Sequence, residues 1–453
     1  MLDNIKTIVL VMFENRSFDN MLGHLSYAKV NKNVNGLTSP LSQYQNIYNT
    51  TGYNPFSIKS DIQLSTDLPH EKEWVAAQLN KNTANGKFSM DGFVNAYMEF
   101  TGAPPNNKPD PLGFYTAAQV PITSFLANTY CVCDNFFASL PTSTQPNRTM
   151  AFCGDTSIDH TKLQLISAAG NIFDWMENAG VKWRVYHDGL SFFVMYDKLW
   201  KHVLGKNFRD YESLYADFQS ETDDSFPEVI IVEPSYQDAP HFGSDQPNDN
   251  HPPLAVGFGE EFLRRTYEAV ISNPTRWGNT LMIVYYDEHG GFYDHEPPPA
   301  IGYTVTGNGN YKFESLGVRI PAILISPYVE RNSVNSMLFD HTSVLQLLAE
   351  KFTPGIPYSA TVDSRKGAGI CSISAGLTNV ADNTVTPAPT VPIFAKTALG
   401  DTISIAPEGS MAQAFEGAAL NMMDAKPVET KEKYPELNQW RDISLASRAL
   451  NSK

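Results

Sequence analysis

The sequence predicts an α/β fold in which a doubly wound, largely parallel central sheet is flanked by helices. Two observations carry this prediction: near-continuous apolar runs rich in β-branched residues, and helical patterns that alternate with them. Such runs are typical of strands buried on both faces of a parallel sheet. Their alternation with amphipathic helices is typical of doubly wound folds. The 453 residues are enough for one large domain of this kind with insertions.

The individual elements follow from the same patterns. The predicted strands are Ile5–Met12, Glu228–Val232, Thr280–Tyr285 and Ile320–Ile325. The clearest helical patterns are Gly257–Ser272 and Thr342–Phe352. Polar, irregular insertions are expected at residues 31–108, 237–253 and 296–309, and short β structure is expected at residues 386–405.

Composition excludes several classes of protein. A net charge of −16 and a pI near 5.0 disfavour nucleic acid as a partner, because an acidic surface repels phosphate backbones. No apolar run approaches the ~18 residues of a membrane span. The first residues do not form a signal peptide, so we expect either a cytoplasmic protein or a mature exported form. Four cysteines without a CxxC pair do not indicate a disulfide scaffold, although export would permit one or two bridges.

Acidic side chains follow two of the predicted strands directly. Glu14 and Asn15 come after the first strand, and Asp287 and Glu288 come after the third. The carboxyl ends of parallel strands share one edge of the sheet, where ligands bind. Carboxylates gathered there repel one another unless a cation neutralises them. Such oxygen ligands suit Mg²⁺, Ca²⁺ or Mn²⁺ and, less typically, Zn²⁺; the alternative is two ordinary acidic loop pairs.

A hydroxyl-rich segment precedes a predicted helix at Pro146. Thr144 lies just outside this helix, where free backbone N–H groups and the helix dipole favour an oxyanion or a phosphate. Metal coordination would make its hydroxyl a nucleophile. The alternatives are an ordinary helix cap at Thr144, or attack by Thr142 or Ser143. Arg148 would either bind phosphate charge or fix the loop.

Histidines are the remaining candidates for acid–base chemistry. Each one alone is more often structural than catalytic, but several flank Asp, Gly or Pro in predicted loops. Imidazoles in loops can donate to phosphate oxygens or protonate a leaving group. The candidates are His70, His187, His251, His295 and His341.

Three motifs together resemble the bacterial phosphoesterase family. They are Glu14–Asp19, Thr144–Arg148 and Asp287–His295. That family contains phospholipases C and a broad-specificity acid phosphatase, and it belongs to the alkaline phosphatase superfamily. The resemblance implies an alkaline-phosphatase-like catalytic domain, which we place at residues 1–357, with residues 358–453 as a small C-terminal appendage packed on it.

The resemblance also implies a set of functional residues. Thr144 would be the nucleophile, with His251 and His187 as further catalytic groups. The residues expected to face the substrate are His70, His187, His251, His295 and Arg148. The residues expected to hold a divalent metal ion are Glu14, Asn15, Thr144, Asp287 and Glu288. Zn²⁺ is the first expectation for this ion, with Ca²⁺, Mn²⁺ and Mg²⁺ as alternatives.

The implied function is that of a metal-dependent phosphoric ester hydrolase. We expect a phospholipase C that releases diacylglycerol and a phosphorylated head group through a phospho-threonine intermediate. A broad-specificity acid phosphatase is the alternative, and a catalytically silent protein that binds metal or phosphate belongs to a different class. The expected partners are phospholipids or small phosphate esters, with transient contact to a membrane surface and no transmembrane segment.

Overall fold

A computed structural model describes residues 1–27, 33–59, 64, 67–102, 107–240, 246–306, 310–391 and 409–442. Its strands are β1 Thr7–Phe13, β2 Asn46–Tyr48, β3 Thr51–Tyr53, β4 Phe56–Ser57, β5 Gly113–Phe114, β6 Cys131–Cys133, β7 Trp183–His187, β8 Phe208–Asp210, β9 Val229–Glu233, β10 Thr280–Tyr286, β11 Tyr303–Thr304, β12 Lys312–Phe313, β13 Ala322–Ile325 and β14 Ser333–Asn335. Its helices are α1 Phe18–Leu22, α2 His24–Tyr27, α3 Lys72–Leu79, α4 Phe93–Thr101, α5 Pro121–Thr129, α6 Thr144–Cys153, α7 Ile172–Asn178, α8 Trp200–Val203, α9 Leu214–Ser220, α10 Gly257–Ile271, α11 Pro274–Trp277, α12 Thr342–Phe352, α13 Ala360–Gly367, α14 Ser410–Ala425 and α15 Pro427–Lys433.

Eight strands form the central sheet, in the order β14-β6-β13-β10-β1-β9-β7-β8. Strands β10, β1, β9, β7 and β8 run parallel to one another. The predicted mostly parallel sheet with flanking helices is therefore confirmed. One expectation within it is wrong: β13, predicted as another parallel strand, runs antiparallel to β10 and to β6. Its short apolar run has the same burial in either direction, so the pattern could not fix its orientation.

The two central strands explain why the carboxylates meet. Every residue of β1 and of β10 is buried, as expected for strands covered by helices on both faces. The strands pair from Thr7 with Thr280 to Phe13 with Tyr286. They therefore end level with each other, and the next residue of each chain segment begins a loop at the same sheet edge.

The predicted insertions contain more local structure than expected. The stretch from residue 31 to residue 108 carries the hairpin β2–β3 and the helices α3 and α4, which pack around a second hydrophobic cluster. The predicted β structure is absent from residues 386–391, and residues 392–405 lie outside the described part of the chain. All four cysteines lie in the described part of the chain, and no disulfide bond joins them there.

The C-terminal helices share the main hydrophobic core with the sheet. Phe415 and Met422 of α14, and Trp440 beyond α15, belong to the same buried cluster as β1 and β10. Helix α14 packs along a 3₁₀ turn at Phe192–Met195. Among the described helices, none is long and apolar enough to cross a membrane.

Candidate active site

The first two acidic residues meet where β1 and β10 end. Glu14 and Asp287 directly follow Phe13 and Tyr286, which are paired in the sheet. The backbone N–H of Asn15 donates to Asp287 Oδ1 at 3.0 Å, and the N–H of Glu288 donates to the same oxygen at 2.7 Å. Both loops are thus tied together at their first residues. Burial raises the pKa of Glu14 well above its usual range, although Arg148 beside it acts in the opposite direction.

A glycine permits the close approach of these two loops. Gly290 has a φ of +61°, and a Cβ atom placed there would lie 2.0 Å from the carbonyl oxygen of Asn15. Asn15 itself has a φ of +58°, a conformation that Asn tolerates better than most residues. The backbone N–H of Gly290 donates to Glu288 Oε2 at 2.8 Å. Any other residue at position 290 would therefore push the two acidic loops apart.

Among the three candidate hydroxyls, that of Thr144 is the one bonded to a predicted metal ligand. Thr144 Oγ1 donates to Asn15 Oδ1 at 3.2 Å. The Ser143 hydroxyl donates to Glu71 at 2.9 Å, and the Thr142 hydroxyl donates to the carbonyl oxygen of Asp159 at 2.8 Å. Helix α6 begins at Thr144 instead of after it, with Ser143 as the N-cap. The Thr144 hydroxyl is therefore held at a helix N-terminus beside the acidic loops.

Arg148 lies behind this group and bridges its carboxylates. Arg148 Nη2 is 2.9 Å from Glu14 Oε1, and Arg148 Nε donates to Asp287 Oδ2 at 3.1 Å. Its Nη1 donates to the Tyr236 hydroxyl at 2.9 Å, and its guanidinium lies over the rings of Phe192 and Tyr236. The side chain is 1% exposed. Arg148 therefore neutralises and positions the carboxylates, and its contact with substrate stays a prediction.

Two of the predicted histidines lie at this site. The rings of His70 and His251 are 6.2 Å apart, and His251 Nε2 lies 2.9 Å from Asn15 Nδ2. Burial alone would lower the pKa of each ring, but neighbouring carboxylates outweigh it. Asp67 and Asp238 are the strongest of these for His251, whose pKa rises to about 10, and Glu288 is the strongest for His70, whose pKa rises to about 9. A raised pKa favours the protonated form of each ring, and that form suits an anionic ligand beside Thr144.

The other two histidines with predicted roles lie elsewhere. His187 ends β7 and packs against Phe208 and Tyr434, where burial lowers its pKa to about 4. His295 Nδ1 is 2.7 Å from Asp19 Oδ2, and its Nε2 is 3.0 Å from Asn35 Oδ1. Neither histidine lines the cavity that contains Thr144. The structure therefore does not bring His187 or His295 to this cavity, and the roles that the resemblance implied for them at the substrate stay predictions. His341, to which no role was given, is buried between Ser139 and the Tyr286 carbonyl.

A cavity of about 500 Å³ opens above Thr144. Besides Thr144, His70 and His251, it is lined by the acidic side chains of Asp67, Glu71 and Asp238, by the apolar side chains of Trp74, Phe100 and Met411, and by Gly409 and Ser410. Sequence reasoning missed all of these additional residues. Asp238 lies in the predicted insertion at residues 237–253, which also contains the candidate His251. This shared segment is the signal in the sequence that could have suggested Asp238.

The predicted ligand set fits a hard divalent cation. Glu288 Oε1 is buried and, among the residues that the structure describes, accepts no hydrogen bond. It lies in the loop that also carries Asp287, and Asn15 and Thr144 add neutral oxygens of the kind such cations accept. Two more compact groups of carboxylates and histidine occur in the described chain: Asp19, Asp294 and His295, and Asp174, Glu177 and His202. The predicted set is not among these compact groups, and Arg148 pairs with two of its carboxylates, Glu14 and Asp287.

A hydroxyl at a helix N-terminus, buried carboxylates and imidazoles at one edge of a mostly parallel sheet are groups that can position and neutralise a phosphoryl group. The chain belongs to the Phosphoesterase family, whose model matches residues 5–354. The family resemblance expected from the three motifs is thereby confirmed.

Relatives with named activities support this assignment. Non-specific phospholipase C3 of Arabidopsis thaliana is 30% identical over 373 residues, covering 77% of this chain and 69% of the relative. Non-specific phospholipase C1 of the same plant is 30% identical, and there the match covers 73% of this chain and 62% of the relative. Phospholipase C B of Mycobacterium tuberculosis strain H37Rv is 29% identical over 415 residues, covering 79% and 75%. Among solved structures, the lipoteichoic acid synthase LtaP of Listeria monocytogenes aligns at 14% identity and a TM-score of 0.36, covering 54% of this chain and 69% of that one.

Proposed function

We propose that the protein is a phospholipase C-type phosphodiesterase that uses Thr144 as its nucleophile. The observation that carries the proposal is the position of Thr144 Oγ1, hydrogen-bonded to Asn15 at the start of α6 and open to a cavity shared with His70 and His251. Relatives named as phospholipases C support the choice of phospholipids as the substrate class. The products would be diacylglycerol and a phosphorylated head group.

The chain's own residues suffice to describe the reaction. Thr144 Oγ1 gives its proton to water in the cavity and attacks phosphorus, a bond from Thr144 to phosphorus forms, and the bond to the glycerol oxygen breaks. His251 or His70, whose pKa values are raised, gives a proton to that leaving oxygen. Water then attacks phosphorus, the bond from Thr144 to phosphorus breaks, one proton of this water goes to the threonine oxygen, and the histidine regains its proton from solvent. The free N–H groups at the start of α6 face the phosphoryl oxygens and stabilise their charge.

We further propose that a divalent metal ion takes part in this chemistry, with Zn²⁺ as the first candidate and Ca²⁺, Mn²⁺ and Mg²⁺ as alternatives. The residues that would hold it are Glu14, Asn15, Thr144, Asp287 and Glu288. When bound, such an ion lowers the pKa of a ligated hydroxyl and neutralises negative charge on the phosphoryl group. The buried, unbonded Glu288 Oε1 supports this assignment.

Substitution of Thr144 tests the proposed function, with Ser143 as the matched control. We expect Thr144→Ala to lower kcat by at least about 10³-fold, because removal of a nucleophile removes the covalent pathway. Ser143→Ala deletes the neighbouring hydroxyl and should leave kcat within about tenfold. Rates on p-nitrophenylphosphorylcholine and p-nitrophenyl phosphate would be measured for both variants. Equal activity of Thr144→Ala and wild type would exclude Thr144 as the nucleophile.

The same two substrates separate the phospholipase C from an acid phosphatase. A phosphodiesterase prefers p-nitrophenylphosphorylcholine, whereas a phosphomonoesterase prefers p-nitrophenyl phosphate. Preference for the monoester would overturn the phospholipase proposal while leaving the role of Thr144 intact. Inactivity of the wild type on every ester would favour the silent binding protein.

A further inference from the structure

The start of the C-terminal helix α14 forms part of the candidate active-site cavity. Gly409, Ser410 and Met411 line the same space as Thr144. The amide of Gln145, the residue after Thr144, donates to the sulfur of Met411 at 3.7 Å. These residues lie beyond position 354, where the match to the family model ends. The part of the chain that the family shares therefore does not complete the cavity.

Helix α14 is fixed relative to the catalytic residues. Phe415 lies one turn beyond Met411, on the same face of the helix. Its ring is 5.9 Å from that of Phe192 and 5.8 Å from that of Tyr236. Those two rings enclose the guanidinium of Arg148. The anchor of α14 is thus the aromatic layer that also holds the arginine behind the acidic loops, so the position of Met411 relative to Thr144 is set by packing.

The chemistry of the lining residues indicates what α14 contributes. Gly409 and Ser410 are small, whereas Met411 extends a long thioether side chain beside the residue that follows the nucleophile. The cavity is also lined by Trp74 and Phe100, whose rings pack edge to face at 5.7 Å. Among the described lining residues at the start of α14, Met411 has the only long side chain, so shortening it is the change in this wall that would enlarge the cavity most.

We propose that α14 supplies the cavity wall that limits the size of the second substituent on the substrate phosphate, with Met411 as the residue that determines this specificity. This inference rests on the proposed phosphodiesterase function. The second substituent is the ester group that stays on phosphorus while the leaving group departs. Shortening Met411 should enlarge the space for that group without altering Thr144, the acidic loops or the histidines.

Two diesters with the same leaving group test the proposal. Bis(p-nitrophenyl) phosphate carries a large second substituent, and methyl p-nitrophenyl phosphate carries a small one. We expect Met411→Ala to raise the ratio of kcat/KM for the large over the small diester by about tenfold, the usual effect of a few methylenes in a pocket. Met411→Leu, which keeps most of the volume, should leave the ratio near that of the wild type.

Leu420→Ala is the matched control. Leu420 is also a partly buried residue of α14 that packs against the main core, but it does not line the cavity. The Leu420→Ala variant should lose stability as Met411→Ala does, and its ratio of kcat/KM for the large over the small diester should stay that of the wild type. An unchanged ratio in Met411→Ala, or an equal change in both variants, would overturn the inference.

Failure of the inference about Met411 can be told apart from failure of the proposed phosphodiesterase function. If the wild type hydrolyses neither diester, the phosphodiesterase proposal fails, and calorimetry with bis(p-nitrophenyl) phosphate decides the inference instead. Tighter binding to Met411→Ala than to the wild type would support a size-limiting wall. Equal affinity would exclude it.

Discussion

Two clusters of similar composition join the segment that follows β1 to the loop after β10, and they differ in the oxygen atoms that they leave without a hydrogen bond. In the first, Glu14 and Asp287 share Arg148. In the second, Asp19 and Asp294 share Arg319, which lies 3.3 Å from the Asp19 carboxylate and 3.1 Å from that of Asp294. We call them the Glu14 cluster and the Asp19 cluster. Each holds two buried carboxylates and one buried arginine.

The Asp19 cluster is closed by the protein itself. Asp19 Oδ2 accepts from the backbone N–H of His295 and is paired with its ring, and Asp294 Oδ2 accepts from the backbone N–H of Asp19. The Glu14 cluster instead adjoins the unbonded Glu288 Oε1 and the cavity over Thr144. The closed cluster is the more compact group of ligand atoms, yet its carboxylate oxygens are already bonded within the protein. Oxygens left free distinguish a chemical site from a structural one better than compactness does.

The largest expected effect is a loss of activity on substitution beside the Glu14 cluster but not in the Asp19 cluster. Glu288→Gln should lower kcat by about 10²-fold or more and reduce bound metal, because it removes a ligand charge while keeping the shape of the side chain. Asp294→Asn, the control in the Asp19 cluster, should retain metal and most activity while its melting temperature falls. Elemental analysis, hydrolysis rates and thermal unfolding would measure the three quantities. Full metal content in Glu288→Gln would contradict the ligand assignment.

Substitution of the two arginines should show a difference between the clusters in how added metal affects stability. Each of Arg148→Met and Arg319→Met leaves two buried carboxylates uncompensated, which typically costs about 3–5 kcal/mol. A divalent cation can replace the lost charge in the Glu14 cluster, where a ligand oxygen is free, but not in the closed Asp19 cluster. Added metal should therefore raise the free energy of unfolding of Arg148→Met and not that of Arg319→Met in urea titrations. Equal rescue of both variants would show that the clusters do not differ in this way.

The smallest effect concerns the pH dependence of the Asp19 cluster. Burial opposes protonation of His295, but Asp19 outweighs it and raises the pKa of the ring. A raised folded pKa means that the stabilisation is fully present below the unfolded pKa of about 6.5 and is lost as pH rises through the folded value. His295→Gln should thus lower the free energy of unfolding by about 1–3 kcal/mol at pH 7 and by less at pH 9.

His24→Gln is the control for that measurement. Burial lowers the pKa of His24 to about 4, so its ring is neutral throughout this range. Its effect on stability should be nearly the same at pH 7 and pH 9. If the loss of unfolding free energy in His295→Gln is as large at pH 9 as at pH 7, a charged pair between His295 and Asp19 is excluded.

The sequence predicted the site best where a buried strand is followed directly by acidic residues. The runs that became β1, β9 and β10 were long and β-branched, and a parallel sheet necessarily gathers the residues that follow such strands. The convergence of Glu14 and Asp287 could therefore be predicted before any coordinates existed. The orientation of β13 could not, because its run of four residues is equally apolar in both directions.

The positions that the sequence did not predict depend on contacts between residues far apart in the chain. Arg148 follows Thr144 by one helical turn, which suggests a shared ligand, but its partners Glu14 and Tyr236 lie far away in the sequence. His187 lies at a strand end like the catalytic candidates, yet β7 is two strands away from β1 in the sheet. Met411 carries no motif at all. Its place in the cavity depends on the packing of Phe415, which no local pattern encodes.

The contribution of α14 has a consequence for the order in which the protein becomes functional. A ribosome makes the chain from the amino terminus, so Glu14, Thr144 and Asp287 all emerge well before Met411. Under the roles proposed for Thr144 and Met411, the wall that discriminates between esters is the last part of the site to be synthesised.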